Sequence, residues 1–308
     1  MTTSAPKQPP APPPGDAVPF STIAAAMARG ACADAGAMRA LVATVVAIGP
    51  EERLASAAET LQALGDAGTV RGILLSEGDN PAPPAHVSGN TVAIYGLKPL
   101  YVNNAVAALR LSSLPTLVWW RGGSPDTIEA VADLADRIVL DEEHPDATWR
   151  RAVTLFDDTT FSDVRWAKLT QWRALMAHFF DIPEVRAARS TFTSLSIACA
   201  DVLSARLFAA WLTSTLQFAA GFTINIREAR GEAFMVDVRL GDHDQELTMR
   251  LTCGEKCLET SVSVRGHSSA SRVVSLTDVT PVTVLTEELR IRSRDLAFER
   301  ALRALVST

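Results

Sequence analysis

The sequence is short of the residues from which many active sites are built. Among 308 residues there are five histidines and four cysteines. No two histidines stand at HxH or HxxxH spacing, so no local metal pair is formed. Cys32, Cys199, Cys253 and Cys257 are mostly far apart and make no disulfide framework. No run of about 18 apolar residues occurs, so no membrane span is expected. The N-terminus lacks a basic stretch followed by an apolar one, as a secretory signal requires. A cytoplasmic protein is therefore expected. Positive charge is not in excess: 29 Lys+Arg against 35 Asp+Glu give a net charge of −6. That is the wrong sign for a dedicated nucleic-acid binder.

The usual nucleotide and acyl-transfer signatures are missing too. There is no GxGxxG after the first strand, no GxxxxGK[ST] and no GxSxG elbow. The first strand instead leads into Gly49-Pro50-Glu51-Glu52. A phosphate at that helix N-terminus would meet two carboxylates and a proline without an N–H. No cofactor and no metal are expected. Asp141-Glu142-Glu143 and Asp157-Asp158 read as solvated loops, because no phosphate-binding element accompanies them to make a Mg²⁺ site. His178 falls in a buried-looking helix beside Phe179, as a structural imidazole.

What remains is ordinary globular material. Hydrophobic residues make up 47% and charged residues 21%. At about 100–200 residues per domain the length suggests two domains, or one large one. Residues 1–19 hold seven of the 17 prolines and read as a disordered Pro-rich tail. Residues 20–145 alternate strand and helix patterns. Strands are expected at 39–48, 70–75, 91–95, 116–120 and 137–140, with helices at 50–65, 99–111 and 127–135. Near-continuous apolar strands alternating with helices imply a mostly parallel sheet covered on both faces. This is a Rossmann-like α/β domain. Glu77 to Pro84 reads as a loop.

Residues 146–220 read as a mainly helical connector. Its clearest helix is expected to run from an N-cap at Ser162 to Phe180, with Leu169, Trp172, Met176 and Phe179 on one stripe. A strand at 192–200 and a helix at 202–218 follow. From 221 to 308 the chain reads as an antiparallel β-meander with C-terminal helices, an α+β domain. Phe234, Val236, Val238 and Leu240 alternate with Met235, Asp237 and Arg239. Leu251 and Cys253 share a face, and pairing Cys253 opposite Leu258 keeps the packed face continuous. The Cys253–Cys257 pair then reads as two ordinary thiols, with a reversible disulfide at the hairpin tip as the alternative.

Tryptophan is the distinctive feature. Trp119-Trp120 closes the fourth strand and Arg121 follows, at the carboxyl edge where open α/β sheets bind ligands. Trp166 and Trp172 lie on the long helix with Arg173. Aromatic side chains with arginine are common in interface hot spots, and equally in cores.

Taken in order, these segments resemble the OpcA family of glucose-6-phosphate dehydrogenase assembly proteins. The resemblance rests on Val118-Trp119-Trp120, on Leu134-Ala135-Asp136-Arg137 through Asp141, and on Trp166 to Leu175 followed by Asp181-Ile182-Pro183. It continues in Leu285-Thr286-Glu287-Glu288-Leu289, Arg294-Asp295 and Phe298-Glu299, and spans roughly residues 40–305. The resemblance implies a non-catalytic partner of glucose-6-phosphate dehydrogenase that supports its active oligomer in the oxidative pentose phosphate pathway, and so NADPH supply. It marks Trp119, Trp120, Arg121, Arg137, Trp166, Trp172 and Arg173 as partner-interface or signature residues. Arg121-Gly122-Gly123-Ser124 departs from the family, in which proline often follows the Trp pair. The alternative is a nucleotide- or sugar-phosphate-binding regulator, or an enzyme, using the α/β domain; a sugar-phosphate sensor would need arginines clustered at the strand ends.

Overall fold

A computed structural model describes residues 16–19, 22–23, 40–68, 70–80, 83–216, 218, 220–229, 235–242, 247–255, 257–264, 267–291 and 293–307. They fall into two compact units, Met1–Val164 with Thr280–Arg294, and Arg165–Val279 with Asp295–Thr308. The first holds a mostly parallel sheet and the second a mostly antiparallel one, each with helices. The 146–220 span read as a connector is divided between the units after Val164, and Thr280–Arg294 returns to the first.

The first unit contains β1 (Asp16–Val18), β2 (Ala43–Ile48), α1 (Glu51–Gly68), β3 (Val70–Asn80), β4 (Ala85–Ser88), β5 (Thr91–Leu97), α2 (Pro99–Leu109), β6 (Thr116–Trp120), α3 (Pro125–Ala132), β7 (Arg137–Leu140), α4 (Asp146–Thr154) and β8 (Thr160–Asp163). Its sheet runs β1-β4-β5-β3-β2-β6-β7-β8. The six strands from β5 to β8 are parallel, and their order is that of a doubly wound dinucleotide-binding fold. Val45, Val46, Ala47 and Ile48 are wholly buried, as a strand covered on both faces must be.

Several expectations are corrected here. Residues 77–80 continue β3 rather than starting a loop. Gly78 makes this possible, since a Cβ there would lie 2.7 Å from the Gly96 Cα. Ala85–Ser88 forms an antiparallel hairpin with β5. Asp16–Val18 pairs with β4, which gives part of the expected tail its backbone partners; residues 1–15 lie outside the described residues. Ser162 is no N-cap but a strand residue. Residues 160–163 pair in parallel with β7, and buried Asp163 accepts the Trp149 indole N–H at 2.9 Å.

The second unit contains α5 (Val164–Lys168, whose first residue belongs to the first unit), α6 (Thr170–Phe179), α7 (Pro183–Ala187), β9 (Phe192–Cys199), α8 (Val202–Leu216), β10 (Thr223–Glu228), β11 (Met235–Asp242), β12 (Leu247–Cys253), β13 (Cys257–Val264) and β14 (His267–Ser275). After α9 (Pro281–Arg290) in the first unit, α10 (Leu296–Val306) closes the second. The single long helix expected from 162 is thus two shorter ones, broken at Leu169. Its stripe of Leu169, Trp172, Met176 and Phe179 is nonetheless buried.

The second sheet runs β10-β9-β11-β12-β13-β14, antiparallel except for the β10–β9 pair. One face carries Leu195, Ile197, Val238, Leu240, Met249 and Leu251, all wholly buried. A bulge between Met235 and Asp237 shifts the alternation, so Met235 points inward, contrary to the simple period-two reading. Phe234 lies outside the described residues. Cys253 does face Leu258. Cys257 pairs with Ser275 on the opposite face, and both thiols are free.

Candidate functional site

Doubly wound sheets bind ligands at the carboxyl ends of the strands on either side of the order reversal. Here that point lies between β2 and β6, where Gly49-Pro50-Glu51 faces Arg121-Gly122-Gly123. The two loops touch. The Arg121 N–H donates to Ile48 O at 2.7 Å, and a Cβ on Gly49 would lie 2.9 Å from the Arg121 Cβ. Gly123, at φ +147°, lets the chain pass over the Trp120 ring; a Cβ there would lie 2.9 Å from Trp120 Cη2.

Side chains bond to one another beside the loops. Trp119 and Trp120 point to opposite faces of β6 and are buried. The Trp119 indole N–H donates to Asp141 Oδ2 at 3.1 Å, and the Arg121 guanidinium stacks 4.5 Å from the Trp119 ring centroid. Arg121 Nε donates to the same Asp141 oxygen at 3.2 Å, while its Nη1 donates to Arg53 O and to Ser56 Oγ. Arg53 donates in turn to the carbonyls of Arg121, at 2.9 Å, and of Asp141, at 2.8 Å. Burial pulls the Arg121 pKa below its ordinary value; Asp141 opposes that and Arg53 adds to it. Asp141 is therefore no solvated loop acid, as the sequence suggested, but the counter-charge of two arginines.

Two arginines do meet at the strand ends, as a sugar-phosphate site would need. Arg53 Nη1 and Nη2 and Arg121 Nε and Nη1 are already engaged by Asp141, Ser56 and backbone carbonyls. Glu51 and Glu52 stand exposed at the N-terminus of α1. The residues present do not fit a dinucleotide pyrophosphate: a proline and two carboxylates occupy its place, and the two arginines share Asp141 as counter-charge. Nearby Tyr95, half-buried on β5, has its phenol pushed up to about 12, by burial first and by the Glu51 carboxylate second.

The other signature residues gather elsewhere. Arg137 sits at the opposite end of the first sheet, buried, with Nη1 donating to Glu288 at 2.9 Å and Nη2 to Ser293 O at 2.7 Å. This ties α9 to the start of β7, beside a cavity of about 130 Å³ lined by Thr116 and Leu289 among others. In the second unit, the Trp166 indole N–H donates to Asp295 Oδ2 at 2.7 Å. Asp295 also caps α10 through the N–H groups of Ala297 and Phe298, each at 3.0 Å. The Arg173 guanidinium lies 3.5 Å from the Trp166 ring centroid, and burial lowers its pKa to about 10 against the pull of Asp295. Trp172 is wholly buried.

Trp119, Trp120, Arg121, Arg137, Trp166 and Trp172 thus lie inside the units, with Arg173 half-buried. Sequence reasoning missed their partners Arg53 and Ser56, which no local pattern links to them; Glu288 was visible as part of the resemblance, but not as the partner of Arg137. Asp295 was visible as part of the resemblance. His178, expected inside, is exposed and pairs with Asp181 at 3.1 Å. No cluster of three metal-ligating side chains occurs among the described residues. No helix among them is long and apolar enough to cross a membrane.

Residues 159–302 match a family model, OpcA_G6PD_C, which describes the C-terminal domain of a glucose-6-phosphate dehydrogenase subunit. Those residues are similar to the OpcA C-terminal domain over slightly less than half of the chain. The match includes Trp166, Trp172, Arg173, Glu288 and Asp295, and bears out the resemblance read from the sequence. No curated protein matches the chain. Solved structures similar to it include a probable oxidoreductase, yhhX, at 7% identity and TM-score 0.47, covering 86% of this chain and 94% of that one. The WlbA dehydrogenase from Bordetella pertussis, in complex with NADH and UDP-GlcNAcA, gives 11% and 0.41 over 86% and 94%. A super-repressor mutant of Gal80p from Saccharomyces cerevisiae gives 8% and 0.39 over 82% and 83%. At these TM-scores the likenesses say nothing about the chemistry of this chain, and its likeness to OpcA rests on the family match alone.

Proposed function

We propose that this protein is a non-catalytic subunit of glucose-6-phosphate dehydrogenase, acting in the cytoplasm, which binds the enzyme and favours its active oligomer. The observation that carries this reading is the OpcA domain match over residues 159–302. The mutual contacts at the strand ends support it from the other direction: Arg53, Arg121, Asp141 and Trp119 bond to one another there, so these side chains read as structural.

The action required is linkage. A subunit that binds one state of the dehydrogenase about tenfold better than another shifts their balance by about 1.4 kcal/mol, with no chemistry of its own. Signature residues inside the units then have a scaffold role, holding α9 and α10 so that the outer surfaces keep their shape.

The test uses purified dehydrogenase from the same source, with and without this protein. Light scattering reads the oligomer, and initial rates read KM and kcat for glucose 6-phosphate. The expected result is a stable complex with raised kcat or lowered KM. No complex and no kinetic change at micromolar concentrations overturns the reading. Turnover by this protein alone overturns its non-catalytic part.

A further inference from the structure

The antiparallel sheet of the second unit has two unlike faces. One is apolar and packed. Register places Asn225, Ser196, Arg239, Arg250, Ser261 and Ser271 in one row across all six strands of the other. Arg239 and Arg250 are directly opposite each other on β11 and β12. Like charges so placed repel, because their Cβ atoms are only about 4.5–5.5 Å apart. Asp237, in the next row, bonds Arg250 and accepts from Thr252 at 3.2 Å. Arg239 is exposed and its side chain has no partner among the described residues. With the neighbouring row, which adds Arg227 and Glu259 to Asp237, three arginines stand against two carboxylates, a surplus of one positive charge on a chain of net charge −6.

We propose that this open face, centred on Arg239 and Arg250, is the surface on which the protein docks an acidic, carboxylate-bearing segment of the dehydrogenase. The proposal rests on the subunit reading above and names its contact surface. A carboxylate laid between the two guanidinium groups accepts charge-assisted hydrogen bonds from both, and removes the repulsion that the free protein carries. The flanking serines are short, so a partner backbone can approach closely, and they lose little rotamer freedom when covered. Size agrees as well. Six strands about 4.8 Å apart and about six residues long give a face of roughly 25 by 20 Å. That is about 500 Å² in projection, the scale of one side of a standard interface at about 800 Å² of accessible surface. A second copy of this acidic chain, or no partner at all, are the outcomes that count against it.

The test uses the full chain and titrates it into the dehydrogenase by calorimetry at two salt concentrations. The Arg239→Glu/Arg250→Glu double variant should bind at least about tenfold more weakly. The Arg239→Lys/Arg250→Lys variant should keep most of the affinity, and binding of the native protein should weaken with salt. Arg239→Ser guards against misfolding: it relieves the repulsion, so its Tm should not fall while its affinity drops severalfold. Native binding with charge-reversed binding unchanged overturns this surface and leaves the subunit reading standing. So does self-association of this chain that Arg239→Glu abolishes while dehydrogenase binding persists. If the native chain does not bind the dehydrogenase, the subunit reading falls. The surface is then decided by a fluorescein-labelled peptide of alternating Glu and Gly. Salt-sensitive binding lost in the double variant supports an acidic docking face, and no binding overturns it.

Discussion

The first unit buries its sheet on both faces and sets Trp119, Trp120, Arg121, Arg53 and Asp141 together at the strand ends. The second packs one face of its sheet and leaves the other wet, with Arg239 and Arg250 side by side. Yet both units end in the same way. Each holds a late helix by a polar contact to an early signature residue: α9 through Arg137–Glu288, and α10 through Trp166–Asp295. The difference between the sheets separates two kinds of charge. Arg53 and Arg121 in the first unit's crevice share an internal counter-charge, Asp141, whereas on the second unit's open face Asp237 answers Arg250 and leaves Arg239 without one among the described residues. Signature residues by themselves would have hidden this, because they mark the shared scaffold and not the surface that differs.

The largest expected effects test the scaffold. Trp172→Ala should cost about 3–5 kcal/mol in denaturant unfolding, since the side chain is wholly buried and leaves a large cavity. A loss below about 1 kcal/mol, with weakened partner binding, would make Trp172 an interface residue and break the scaffold side of the comparison. Next in size, Glu288→Ala leaves the Arg137 guanidinium buried without its counter-charge, and should cost about 3 kcal/mol. Glu288→Gln keeps an acceptor and should cost clearly less. Equal losses would mean that the charge is irrelevant and that only packing holds α9.

Much of this arrangement could be read before the fold was known. Strands β6 and β7 fall where the apolar runs put them, because a strand buried on both faces has nothing but apolar side chains to show. The Cys253–Leu258 pairing followed from parity alone. Where reading failed, the cause was tertiary or a single unusual residue. Ser162 looks like a helix cap, but its segment is drawn into the sheet by β7 and by the Trp149–Asp163 hydrogen bond. The β4–β5 hairpin did have a signal, Gly89-Asn90 between alternating residues, with Gly89 at φ +55°. The bulge at Met235–Asp237 had none. Nor could the sequence show that Glu288 belongs with Arg137, 151 residues earlier. Arg239 was legible only as one member of an alternating strand; it is the register that sets it opposite Arg250.

A middle-sized effect tests whether the two late helices are held equivalently. Asp295→Ala removes the cap of α10, worth about 1 kcal/mol. It also leaves the buried Trp166 N–H without its acceptor, worth about another 1 kcal/mol. The sum, about 2 kcal/mol, is smaller than for Glu288→Ala because no charge is stranded in full burial. Asp295→Asn keeps a capping oxygen and should recover most of the loss in thermal unfolding. If it recovers nothing, the carboxylate acts on the Arg173 charge, which it favours against burial, rather than as a cap.

The smallest effect reads the closed crevice directly. Tyr95 has its phenol raised to about 12 from an ordinary value of 10.0, burial being the larger cause and Glu51 the smaller. Between those values the folded state keeps a proton that the unfolded state has lost. Stability should therefore fall as pH rises from 10 towards 12. Tyr95→Phe should remove that part of the slope. The chain has two tyrosines, so Tyr101→Phe leaves Tyr95 as the sole source of phenolate absorbance. Its midpoint should lie near 12, and adding Glu51→Gln should lower it only modestly, because burial remains. A midpoint near 10 would mean that water reaches this rim freely and that the crevice is open. The contrast between an answered first unit and an unanswered second would then fail at its first term. A phosphate bound there would move the midpoint the other way, since added negative charge disfavours phenolate further. Titration with and without inorganic phosphate thus separates a closed crevice from an occupied one.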